Sequence, residues 1–164
     1  MHDGENREEM DNDQVVEDEA DGQEGVEKQK GGRKRTKMHH VSDRLNQPPQ
    51  RVHYNGKGQP DGNNASEFLN FIATLVKSHI PIGHDDWRQV DISWKLDFMK
   101  TLRKFYVVDG ELKDWVGGTT HKKWRDFKSD LKEKHFKEQK TDEELLACRD
   151  DRITIKDWEW LLTC

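Results

Sequence analysis

The 164-residue chain has 2 cysteines, 4 prolines and 2 tyrosines, and only 31% of it is hydrophobic against 37% charged. Cys148 and Cys164 make no CxxC spacing and no disulfide framework, which points to a reduced, intracellular setting. No apolar run approaches the roughly 18 residues needed to span a bilayer. The opening MHDGENREEM lacks the charged-then-apolar order of a secretory signal. Membrane and secreted readings are therefore set aside. Alternating strand patterns of useful length and internal repeats are also lacking, which leaves helices as the expected architecture.

What is abundant is charge, and it is segregated. The net charge of -5 hides 12 acids against 1 base in 1–27, 8 bases against 1 acid in 28–51, and 20 acids against 19 bases in 52–164. Such blocks bury too little apolar surface to offset the entropy of ordering. Residues 1–63 are accordingly expected to be a disordered tail, acidic and then basic, ending in a linker. Within it, Arg33, Lys34, Arg35 and Lys37 follow the flexible Gly31-Gly32 and match a short nuclear-localisation pattern. A polyanion-binding spacer is the plainer alternative. Deleting 1–27 is expected to raise DNA affinity at low salt if the acids compete for those bases. Pro48-Pro49 marks a linker, and Gly56, Gly58, Pro60, Asp61 and Gly62 mark a turn region.

From Asn64 or Ser66 as N-cap, Phe68, Leu69, Phe71, Ile72, Leu75 and Val76 recur at helical spacing until Pro81 prevents continuation. A second helix is signalled by Asp91 as cap and by Trp94, Phe98, Leu102 and Phe105. Asp109-Gly110 ends it, a short segment holds Leu112, Trp115 and Val116, and Gly117-Gly118-Thr119-Thr120 leads into a charged helix over 121–140. There Trp124, Phe127, Leu131 and His135 share one face and Lys122, Arg125, Ser129 and Lys132 another, with Asp126, Asp130 and Glu133 beside them. Residues 142–148 and 153–162 suggest two further short helices. The expected fold is all-α: a small domain of three to five helices at 64–162. Trp87, Trp94, Trp115 and Trp124 are read as core anchors, and Trp158, Trp160 and Leu161 as an incompletely covered end that favours self-association or a protein partner.

Lys122, Lys123, Arg125, Lys128 and Lys132 offer five cations within eleven residues, the arrangement that follows a phosphate backbone. The plainer reading is a solvated helix face, because Asp126, Asp130, Glu133 and Glu138 lie in the same stretch. Catalysis finds less support: no HExxH, nucleophile elbow or spaced Cys/His set is present, so no catalytic residue, metal ligand or cofactor is assigned. His79, His121 and His135 are read as packing or capping residues. NGKGQPDG follows no strand and lacks the Gly-Lys-Ser/Thr ending of a phosphate loop, so it reads as a turn.

The run YNGKGQPDGNNASEFLNFIATLVKSHIPIGHDDWRQV, then KKWRDFKSDLKEKHF, then ITIKDWEWLL, resembles the plant transposase family associated with Ptta and En/Spm elements, in the same order and with similar spacing. The resemblance covers about residues 54–162. It implies a transposon-derived nuclear protein of a flowering plant, with a DNA-associated helical region. It also implies a truncated copy, since similar family members continue past the Asp157-Trp158 segment. The three metal-holding carboxylates of a cut-and-paste transposase cannot be picked out here, so a non-catalytic, DNA-associated protein is expected. A decayed element fragment without activity is the further alternative.

Overall fold

In a computed structural model, which describes residues 37–136 and 140–163, the apolar spacing of residues 68–76 closes into a long helix. All the described residues belong to one unit, 35–164. The order is α1 (His39–Ser42), β1 (Gln50–Arg51), α2 (Ala65–His79), a 3-10 turn (Trp87–Gln89), α3 (Ile92–Arg103), β2 (Tyr106–Val107), α4 (Gly110–Phe136), α5 (Asp142–Ala147) and α6 (Ile155–Thr163). The all-α expectation holds. The two strands are two residues each and pair in parallel, Gln50 with Tyr106 and Arg51 with Val107.

Local chemistry sets the helix ends. α2 stops because the residue before Pro81 is driven out of the helical region, and Ile80 is extended at φ -107° and ψ 120°. Asn64 stands at the N-cap of α2 but its side chain does not cap: Nδ2 donates instead to the Arg51 carbonyl at 3.0 Å, tying the helix to β1. Ser66 lies inside the helix. α3 starts as expected, with Asp91 Oδ1 accepting the Ser93 N–H at 2.7 Å. α5 opens on a reciprocal capping box between Thr141 and Glu144.

The structure departs from the sequence-based expectation in three places. First, the expected break at Gly117–Thr120 is absent, and α4 runs unbroken through it. Leu112, Val116, Thr120, Trp124, Phe127 and Leu131 form one buried stripe across the two glycines, and burial of that stripe outweighs the glycine penalty of about 1 kcal/mol each. Second, the tail expected to reach residue 63 does not: Met38, Val41 and Val52 are buried in the core. Arg44 clamps this segment down, donating to Glu67 Oε1 at 2.7 Å and to the Tyr106 hydroxyl at 3.0 Å, while Tyr106 donates to the same carboxylate at 2.7 Å. Burial alone would raise the Glu67 pKa, but the hydrogen bonds from Tyr106 and Arg44 overcome it and hold the carboxyl below its ordinary value. Third, Trp158 and Leu161 are 0% and 2% exposed and Trp160 is half-buried against the core, so the face of α6 that carries them is covered rather than open.

The core is built mainly between α2, α3 and α4. Phe68 and Phe71 meet Tyr106 and Phe105 edge-on at centroid distances of 4.9 and 5.0 Å, a geometry favoured by the ring quadrupoles. α6 closes the far end: Trp158 donates to the Leu145 carbonyl at 3.0 Å and packs edge-on against His135 at 5.3 Å. Cys148 Sγ lies 3.2 Å from His135 Nδ1 and joins α5 to the end of α4. The NGKGQPDG turn is a closed loop. Asn55 Oδ1 accepts the N–H groups of Lys57 and Gln59 at 2.9 and 3.1 Å, and Gly58, at φ +72°, sits so close to Glu111 that a Cβ would come within 2.6 Å of its carbonyl oxygen.

Candidate nucleic-acid interface

α4 is the element that carries the expected cations, and its burial pattern decides which of them face outward. Trp124, Phe127, Leu131 and His135 are buried, which turns Lys122, Arg125 and Lys132 to the opposite side of the helix. At about 100° per residue these three fall within about 80° of one another, with Ser129 between them. Lys122 and Arg125 are exposed and Lys132 is half-buried; none of the three has a hydrogen-bond or ion-pair partner among the described residues. By the same spacing Asp126, Asp130 and Glu133 lie along one border of this stripe rather than within it.

The other two expected contacts are placed differently. Lys128 turns under the stripe: its Nζ lies 4.3 Å from the Trp124 ring centroid and 4.7 Å from that of Trp160, and it donates to the His84 carbonyl. It is a clamp between α4, α6 and the 81–86 segment. Lys123 is half-buried on the opposite flank, close enough to Lys77 to disfavour a second charge there. Lys77 is held below its ordinary pKa chiefly by burial, with Arg152 and Lys123 adding to it against Asp130 and Asp150. Its amine sits 5.4 Å from the Phe127 centroid, with the Arg152 guanidinium at 5.2 Å from the same ring. The five cations therefore divide into an outward stripe of three and two flank residues. Of the basic cluster expected for nuclear entry, Lys37 is exposed, whereas Arg33, Lys34 and Arg35 lie outside the described residues, as does the acidic block 1–27.

Beside the stripe, residues that charge counting passed over, Asp85, Asp86, Trp87, Arg88, His121 and Trp124, join Arg125 and Lys128 in lining a cleft of ≈ 580 Å³. Its wall is aromatic. His121 stacks on Trp87 with centroids 5.5 Å apart and planes 14° apart, and Trp124 meets Trp87 edge-on at 5.5 Å. Trp124 Nε1 donates to the Pro81 carbonyl at 2.9 Å, which fixes the wall to the segment entering it. Trp87 is also held by Lys95, whose ammonium lies 4.8 Å from the ring centroid and donates to the Trp87 carbonyl at 2.8 Å. At the rim, hydrogen bonds from the Arg88 side chain and backbone N–H pull the Asp86 carboxyl down to about 2. The sequence signal for this cleft was the Asp85-Asp86-Trp87-Arg88 turn, whose relation to His121 depends on a tertiary contact.

The tryptophan expectations divide as well. Trp124 is 2% exposed and Trp87 and Trp115 pack partly buried against the core, but Trp94 is 45% exposed. Trp94 sits in the first turn of α3 and faces a groove formed with Pro81, Ile153 and Asp157 rather than the core. Ile92, Leu96 and Ile155 are exposed too. Among the described residues no group of three or more His, Cys, Asp or Glu is placed to hold a metal ion, and no helix is long and apolar enough to cross a membrane. In comparisons with known proteins, no family model, no curated protein and no solved structure matches the chain.

Proposed function

We propose that this chain is a non-catalytic, transposon-derived protein of the nucleus that holds DNA by its phosphate backbone along the outer face of α4. The observation that carries the reading is the stripe of Lys122, Arg125 and Lys132, three cations on one side of a rigid helix with no carboxylate paired to any of them among the described residues. Unpaired cations on a fixed element release condensed counterions when they meet phosphate, which drives binding with little dependence on base sequence. The resemblance to the Ptta/En/Spm transposase family supports the same assignment. Lys123 and Lys128 add charge from the flanks, and Lys128 does so without leaving its tryptophans. In a fluorescence-anisotropy titration with a mixed-sequence duplex, changing Lys122, Arg125 and Lys132 together to Ala weakens binding by at least about tenfold at low salt. A control pair, Lys104→Ala and Lys113→Ala, leaves it nearly unchanged. Equal losses in both variants would remove the stripe of Lys122, Arg125 and Lys132 from the interface.

The exposed Trp94, which lines a groove with Pro81, Ile153 and Asp157, favours a second reading, self-association, at a place other than the Trp158, Trp160 and Leu161 end first expected. Sedimentation at rising concentration decides it: a dimer that disappears with Trp94→Ala supports this reading, and a monomer throughout rejects it.

A further inference from the structure

The cleft beside α4 combines three features that a phosphate-tracking stripe does not need. It has an aromatic wall with one ring left open to solvent, since His121 is exposed and its only ring contact among the described residues is Trp87. The Arg125 guanidinium, without a partner among the described residues, stands one helical turn further along α4 at the same cleft. The rim carries carboxylates, and these differ in what they are free to do: Asp86 is held by Arg88 through Arg88 N, Nε and Nη2 at 2.8, 3.1 and 3.0 Å, whereas the Asp85 carboxylate has no partner among the described residues. Lys128 lends charge from below while its amine stays on the His84 carbonyl.

We infer that this cleft takes one unpaired nucleotide of a bound strand, its base stacked on His121 as the third layer of a Trp87–His121–base stack and its phosphate on Arg125. Every base has a π-face, so an exposed ring backed by a rigid indole is a general platform for single-stranded positions. The cleft is open to solvent, and its ≈ 580 Å³ is the volume of a small-ligand site. The carboxylates argue against a site for phosphate alone, because Asp85 and Asp86 oppose a bare anion while Asp85 can accept from an exocyclic amine of a base. Arg125 belongs to the cleft and to the stripe of Lys122 and Lys132, so the strand that leaves the cleft continues along α4. The inference thus rests on the backbone reading for the path of the strand, and adds a preference for an unpaired base.

The test uses the full chain and two labelled duplexes of one sequence, one fully paired and one with a single extra unpaired nucleotide at its centre. The expected result is about tenfold tighter binding to the bulged duplex by the wild type. With His121→Ala that preference disappears while affinity for the paired duplex is kept, and with His121→Phe, which retains a ring on Trp87, the preference returns. His121 is exposed, and matching thermal melts confirm that the variants fold. Equal affinity of the wild type for both duplexes, or a preference that survives His121→Ala, overturns the inference. Failure of the backbone reading looks different: paired-duplex binding is then absent, or indifferent to loss of Lys122, Arg125 and Lys132.

Discussion

Replacing Gly117 and Gly118 with alanine tests the continuity of α4 at its weakest point. Both glycines lie in the interior of a 27-residue helix and both are exposed. A Cβ built on either would meet nothing within 4 Å, so no steric cost opposes the change. Alanine is favoured over glycine in a helix interior by about 0.8–1 kcal/mol, largely because it has less backbone freedom to lose on folding. Adjacent helix positions do not face one another, so the two gains should nearly add, to about 1–2 kcal/mol for the pair. For a folded region of this size that raises Tm by roughly 3–10 °C. Urea denaturation followed by circular dichroism should show a higher midpoint with an unchanged m-value. A loss of stability, or no change, would mean that the helix is interrupted at the glycines in solution, and the alignment of Leu112 and Val116 with Trp124 would have to be reconsidered.

Two further outcomes follow from the packing. Trp158→Ala removes a fully buried indole together with its hydrogen bond to the Leu145 carbonyl, and a loss of about 3–5 kcal/mol is expected in the same urea assay; a loss under 1 kcal/mol would mean that α6 is not docked. Burial, with Lys134 and Lys140 adding and Asp150 opposing, holds the pKa of His135 below its ordinary 6.5, so the unfolded chain binds the proton more readily and stability falls as pH drops below about 6.5. Tm measured from pH 7.5 down to 5.5 should decline less in His135→Leu than in the wild type, and parallel declines would refute the assignment.

What the sequence made legible was local. Pro81 stops α2, Asp91 caps α3, and the 3.6-residue spacing of Trp124, Phe127 and Leu131 correctly separates the buried side of α4 from the side bearing Lys122, Arg125 and Lys132. The errors share a cause, which is that burial is decided by what packs on top. Gly117-Gly118 reads as a breaker until Leu112, Val116 and Thr120 are seen as the same stripe as Trp124. Trp158 reads as uncovered because the carbonyl that takes its N–H is thirteen residues away on α5. Trp94 shares the spacing of Phe98 and Leu102, but it stands in the first turn of α3 and lines an open groove. The pairing of β1 with β2 joins strands too short to have a period, so nothing local announced that Val52 belongs to the core. The charged stripe was visible in the sequence, whereas the Trp87–His121 wall beside it depends on a contact across more than thirty residues.

If α4 meets nucleic acid through cations on its outer face, as proposed, binding must weaken with salt in proportion to those contacts. Log affinity of the full chain for a mixed-sequence duplex, plotted against log salt, should give a straight line with negative slope. The slope of the Lys122→Ala, Arg125→Ala, Lys132→Ala variant should be shallower by about two to three units, as expected for three lost phosphate contacts. An unchanged slope in that variant, or no salt-dependent binding by the wild type, would contradict the account and leave the stripe as a solvated helix face.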